Sequence, residues 1–154
     1  MATRDFLSWG LHSVRTSLKS APELARELWL RDDSSSLEVS AIHELAENIG
    51  VKTQFVPNKA LTRMCEGAVH QGAVLRRRAP SSVDLDEVVE DAESRGAKPL
   101  LLVLDRIQDP QNFGACLRVA DGAGADAVVV PRDHNAPLSG TVAKAASGAL
   151  DTVP

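Results

Sequence analysis

A chain of 154 residues, 44% hydrophobic and 25% charged, has room for one medium domain or two small ones of ordinary soluble composition. Its formal charge of −4 argues against a uniformly basic coat for nucleic acid, and two Trp, three Phe and no Tyr are too few for a stacking platform along a single strand. No apolar run approaches the length of a membrane-spanning helix and the N-terminal MATRDFLSWGLHS lacks a secretory core, so a cytoplasmic protein with no membrane partner is expected.

In chain order, residues 1–10 read as a short leader in which Trp9-Gly10 closes an extended segment. Leu11, Val14 and Leu18 then recur at helical spacing up to Ala21-Pro22. Residues 27–31 alternate charge and bulk as a strand does, and residues 32–36 form a turn with several possible N-caps. Leu37, Ile42, Leu45, Ala46 and Ile49 lay an apolar stripe along a second helix, with Gly50 suited to its C′ position. Residues 51–56 favour a strand, Asn58 stands where it caps a short helix over 59–66, and 67–72 form a loop. Ala73-Val74-Leu75 is a third strand leading into Arg76-Arg77-Arg78. That triplet is a local basic cluster, open to two readings: an edge that meets nucleic-acid phosphates, or a solvated linker. The alternation as a whole predicts an α/β layer of about 75 residues.

Residues 79–97 join the halves: Ala79-Pro80-Ser81-Ser82 is a linker, followed by an acidic amphipathic helix with Leu85, Val88, Val89 and Ala92 inward and its carboxylates in solvent. Pro99 precedes the apolar run Leu100–Leu104, short enough to be a strand buried on both faces as in a parallel sheet. Residues 105–113 are polar and turn-rich, stiffened by Pro110. Gly114 opens a helix in which Leu117, Ala120 and Ala123 recur at threes, with Asn112 placed to cap it and Gly122 and Gly124 near its end. Residues 127–130 are a second apolar run stopped by Pro131. Strand, loop, helix, strand is a βαβ unit, which places its chemistry in the loop after the first strand. Gly122-Ala123-Gly124 is no dinucleotide loop, because it follows a helix and lacks the third glycine. Cys65 and Cys116 read as reduced, buried structural thiols. His12, His43, His70 and His134 form no HxxxH or HxH pair, so no metal site is expected.

Asp105, Asp109-Pro110, Asn112, Gly114 and Arg118, followed by Ala120-Asp121 and the later Lys144…Ser147-Gly148-Ala149, together resemble the first signature motif and next cluster of the SpoU/TrmH-type SPOUT RNA methyltransferases. Within that family the likeness is greatest to the members that modify a guanosine ribose in bacterial large-subunit (23S) ribosomal RNA. Two positions depart: Arg106, where these enzymes often carry Gly, and Gln111, where His is common.

The resemblance implies an N-terminal L30e-like α/β domain over residues 1–78 that engages RNA, a linker with an acidic helix over 79–97, and over 98–154 the first part of a SPOUT α/β methyltransferase domain. The second and third motifs, which form the trefoil knot and bind S-adenosylmethionine, would lie beyond Pro154, so the C-terminal knot is expected to be missing and no cofactor-binding residue is assigned. The implied reaction is methyl transfer from S-adenosylmethionine to a ribose 2′-oxygen of RNA, in a family whose members usually form homodimers. The rival reading is a noncatalytic RNA-binding fragment that cannot hold the methyl donor. Arg118 and Asn112 are the implied catalytic residues; Arg76, Arg77, Arg78 and Lys144 are candidate RNA contacts. For Arg118 two readings stand, a surface partner of Asp109 or Asp121, or a cation addressing the ribose hydroxyl and its phosphate. His70-Gln71-Gly72 also fits the family, although a structural turn explains it equally well.

Overall fold

The computed structural model describes residues 5–33 and 35–154; residues 1–4 of the expected leader and residue 34 of the expected turn lie outside it. The chain divides into two compact units, one ending at Ala79 and one beginning at Pro80.

The first unit runs β1 (Asp5–Trp9), α1 (Leu11–Ser20), β2 (Ala25–Arg31), α2 (Leu37–Asn48), β3 (Lys52–Val56), α3 (Asn58–Met64) and β4 (Ala73–Arg78). Its sheet has the order β1-β4-β2-β3, with β4 antiparallel to both neighbours and β2 parallel to β3. Alternation along the strands sends Leu28, Leu30, Ala73 and Leu75 to one face, where Val14 and Leu18 of α1 and Val39, Ile42 and Ala46 of α2 close over them. Leu18, Leu28, Leu30, Ile42 and Leu75 are at most 1% exposed, and each such side chain contributes about 1.5–3 kcal/mol of transfer energy. Val74 faces the other way, against Leu61 and Cys65, with Trp9 and Trp29 packed alongside.

The arginine triplet corrects a sequence expectation. All three residues lie within β4, which is the fourth strand because Asp5–Trp9 pairs with it as the first. The strand's alternation continues through the charges: Arg76 and Arg78 are exposed, while Arg77 is 1% exposed. Two details of the helices also differ. Leu37 is 87% exposed, because it is the first residue of α2 and precedes the stripe that meets the sheet. Asn58 caps nothing; Pro57 takes the N-cap position and α3 begins at Asn58. The His70 turn is structural, with His70 buried, its Nδ1 accepting from the Gly72 N–H (3.1 Å) and Gln71 Oε1 accepting from the Leu11 N–H (3.3 Å).

The second unit runs α4 (Leu85–Ser94), β5 (Leu101–Val103), α5 (Pro110–Ala123), β6 (Ala127–Val129) and α6 (Gly140–Ala146). Strands β5 and β6 pair in parallel around α5, the expected βαβ unit. Helix α4 is capped by Asp84, whose side chain accepts from the Asp86 N–H, and it buries Ala92; Leu85, expected inward, is 44% exposed. The first strand is not buried on both faces. Leu100 is 50% and Val103 67% exposed, because the sheet is two strands wide among the described residues. Asp126 ties α4 to the strands, accepting from Arg95 Nη2 at 2.7 Å and from the Leu100 N–H at 2.8 Å. Those two donors hold its carboxyl below the ordinary carboxylate value, the Leu100 N–H first and Arg95 second.

Candidate functional site

Helix α5 begins four residues before the expected Gly114. Pro110 occupies its first helical position, where a missing N–H costs nothing, and Asp109 is the N-cap, its Oδ1 accepting from the Asn112 N–H at 2.8 Å. Asn112 is therefore the capped residue and not the cap, and Pro110 opens the helix and does not stiffen a loop. Phe113, Gly114, Leu117 and Ala120 turn inward, and Gly124, with φ 69°, closes the helix in the left-handed conformation that glycine adopts without cost.

At Gly114 the backbone of α5 lies close against α6. A β-carbon there would lie 2.4 Å from Ala145 Cβ, 2.6 Å from the Val142 carbonyl oxygen and 2.9 Å from the Ala146 nitrogen. One turn further along the same stripe stands Arg118. Its guanidinium is exposed and Nη1 donates to the Ala145 carbonyl at 3.4 Å. Neither carboxylate considered from sequence holds it: Asp109 serves the cap, and Asp121 Oδ1 accepts from Thr152 Oγ1 at 2.7 Å.

The structure thus brings Arg118 to α6 at Ala145, the residue that follows the exposed Lys144. It places Asn112 elsewhere on α5: six residues at 100° each leave its side chain about 120° around the helix from Arg118 and about 9 Å along it. Arg106, one of the two departures, takes a positive φ of 54° in the loop and lies 3.8 Å from Asp105. Cys116 is half-buried, where a buried thiol was expected, because it lies one position off the inward Leu117 stripe.

In the first unit the cations sort by strand register. Arg76 pairs with Glu27, which pairs with Lys52, so all three share one sheet face with Arg78. Glu27 Oε2 lies 3.2 Å from Arg76 Nη2 and its Oε1 3.2 Å from Lys52 Nζ, with Gln54 Nε2 donating to the same carboxylate. Lys52 foremost, with help from Gln54 and Arg76, keeps the Glu27 carboxyl below its ordinary value despite partial burial. Arg77 points to the opposite face, donating through Nη1 to Ser17 Oγ and lying over the Phe6 ring with Cζ 5.6 Å from its centroid. It is unavailable to a ligand on the face that carries Arg76 and Arg78. Sequence reasoning missed Lys52 and Glu27, for which the strand alternation of residues 27 and 52 was the one available signal.

A cavity of about 400 Å³ opens at the carboxyl end of β6, walled by Phe113, Leu117, Val128, Val130 and Leu150. Its cationic side chain is Arg132. Among the described residues no group of three His, Cys, Asp or Glu is arranged to hold a metal, and no helix is long and apolar enough to cross a membrane.

Comparison with known proteins gives two family matches in tandem. Residues 7–83 match the model for RNA 2′-O ribose methyltransferase substrate binding, and residues 99–154 match the SpoU rRNA methylase family. The chain is 44% identical to the 23S rRNA (guanosine-2′-O-)-methyltransferase RlmB of Vibrio cholerae, over 96% of this chain and 60% of the relative. It is 38% identical to RlmB of Haemophilus influenzae (95% and 59%) and 36% identical to the putative TrmH family tRNA/rRNA methyltransferase YacO of Bacillus subtilis (94% and 57%). The chain therefore spans about three-fifths of the length of the curated relatives it matches. In fold it is similar to the SpoU methyltransferase AviRb of Streptomyces viridochromogenes, solved with AdoMet, at a TM-score of 0.76 and 19% identity over 97% of this chain and 54% of that one.

Proposed function

The chain belongs to the SpoU family of RNA ribose methyltransferases, and from that premise we propose that it serves methyl transfer from S-adenosylmethionine to the 2′-oxygen of a guanosine ribose in 23S ribosomal RNA. The observation that carries this is the exposed Arg118 guanidinium, held by α6 against the middle of α5, in a chain whose two halves match a substrate-binding and a methylase model in that order.

The donor, when bound, supplies an electrophilic methyl carbon on a sulfonium sulfur. Residues 80–154 handle the other reactant. A guanidinium stays protonated in proteins, so Arg118 is no base. It stabilises the charge that develops on the 2′-oxygen as its proton passes to solvent water, and it positions the neighbouring phosphate. Lys144, the residue before Ala145 on α6, adds a second phosphate contact. Asn112, exposed on another side of α5, is given no part in this step.

The first unit engages RNA through the sheet face that carries Arg78, Arg76 and Lys52. Contacts to phosphate fix register and orientation and carry no sequence information. Alignment of nucleophile and donor is then the main source of rate, with Arg118 adding to it.

Arg118→Ala tests the proposal. Loss of one preorganised donor to a developing oxyanion costs about 10²–10³ in kcat. Methyl transfer should fall by that factor, with a far smaller loss of affinity for 23S ribosomal RNA from the phosphate contact. Unchanged kcat would remove Arg118 from the chemistry.

A further inference from the structure

Gly114 and Arg118 are four residues apart on α5, and both meet the same residue of α6. Ala145 offers its β-carbon to the place where a side chain at 114 would be, and its carbonyl to the Arg118 guanidinium. That carbonyl lies in the last turn of α6, where carbonyls lack intrahelical donors and carry the negative end of the helix dipole. The helix stops there because Ser147 and Gly148 turn into positive φ, 53° and 103°. An arginine on a flexible stem is thereby given one docking point, and the docking point exists at that height only because α6 is allowed against the bare backbone of residue 114.

We infer that Gly114 is a positioning residue for Arg118: by admitting α6 to the face of α5 it sets the Ala145 carbonyl where it fixes the guanidinium. The inference rests on the reading of Arg118 as the group that faces the ribose. A β-carbon at 114 meets backbone atoms at 2.6 and 2.9 Å, which no rotamer change relieves, so α6 must move outward. The Ala145 carbonyl moves with it and the Arg118 contact, 3.4 Å long at the outset, is lost.

The test is the order parameter of the Arg118 Nε–H by nitrogen-15 relaxation in the full chain, compared with exposed Arg132 in the same spectra. The native protein should show Arg118 more ordered than Arg132, and Gly114→Ala should lower Arg118 to the Arg132 value while leaving the first unit's spectrum unchanged. In the methyl-transfer assay the same variant should lose about 100-fold in kcat, as a displacement near 1 Å can cost, with a far smaller change in KM for RNA. Ala145→Gly, which deletes the contacting β-carbon without adding bulk, covers the case in which Gly114→Ala fails to fold. It should lower the Arg118 order parameter by a smaller amount. As a control, Asp126→Asn in the same unit should leave Arg118 order untouched. Native-like Arg118 order in folded Gly114→Ala, or in Ala145→Gly, overturns the inference. If the order falls as expected but Arg118→Ala keeps full activity, the positioning stands and the chemical role given to Arg118 fails.

Discussion

Truncating Arg77 to alanine should unfold the first unit far more readily than truncating either of its neighbours. The Arg77 side chain is 1% exposed, its guanidinium donates to Ser17 Oγ of α1, and it lies over the Phe6 ring. A hydrogen bond from a charged donor contributes about 1.5–3 kcal/mol, and a desolvated cation–π contact about 1–2 more. Arg77→Ala should therefore cost about 3–4 kcal/mol, including the void it leaves. For a unit of this size each kcal/mol moves Tm by about 4–8 °C, so a drop of more than 10 °C is expected. Both tryptophans, Trp9 and Trp29, lie in the first unit, so urea or thermal unfolding followed by their fluorescence reports on it selectively. Arg77→Met, which keeps much of the bulk and removes the charge, should recover at least half of the loss. Arg78→Ala should stay within about 0.5 kcal/mol of the native chain, as surface changes do. An Arg77→Ala chain as stable as native, or an equal loss for Arg78→Ala, would refute the assignment of Arg77 to the interior.

Arg78→Ala should instead act on RNA: affinity should fall for all sequences alike, and the slope of log K against log salt should shrink by about 0.7 for the lost phosphate contact. Asp109→Ala should cost the second unit about 1 kcal/mol by circular dichroism in urea, whereas Asp109→Asn, an equivalent N-cap, should be nearly neutral. Asp126 supplies a pH dependence. Its folded pKa is below the ordinary 3.8, so its stabilisation is complete above about pH 4 and is lost as pH falls through the folded value; Asp126→Asn should flatten that acid limb of the second unit's unfolding curve.

Much of this architecture was legible from pattern alone, since Leu28, Leu30, Val14 and Leu18 announce their faces by period. What escaped was set by partners distant in sequence. AVLRRR continues a strand by its alternation, but Ser17 and Phe6, which make a buried Arg77 tolerable, are 60 and more residues away. Asp109-Pro110 is a legible N-cap and first helical position, and the flexible Gly114 drew the helix start away from it. The open faces of Leu100 and Val103 depend on how many strands flank them, which an apolar run does not encode. Arg118 was found by resemblance. Its hold on Ala145, 27 residues later, needed coordinates.

The most direct test of the central claim is to identify the product. The protein would be incubated with 23S ribosomal RNA and S-adenosylmethionine labelled in its methyl group, and the RNA digested to nucleosides and resolved by mass spectrometry. Label is expected in 2′-O-methylguanosine, strongly reduced with Arg118→Ala. Label on a base, or none in 2′-O-methylguanosine under conditions where the RNA is bound, would contradict it.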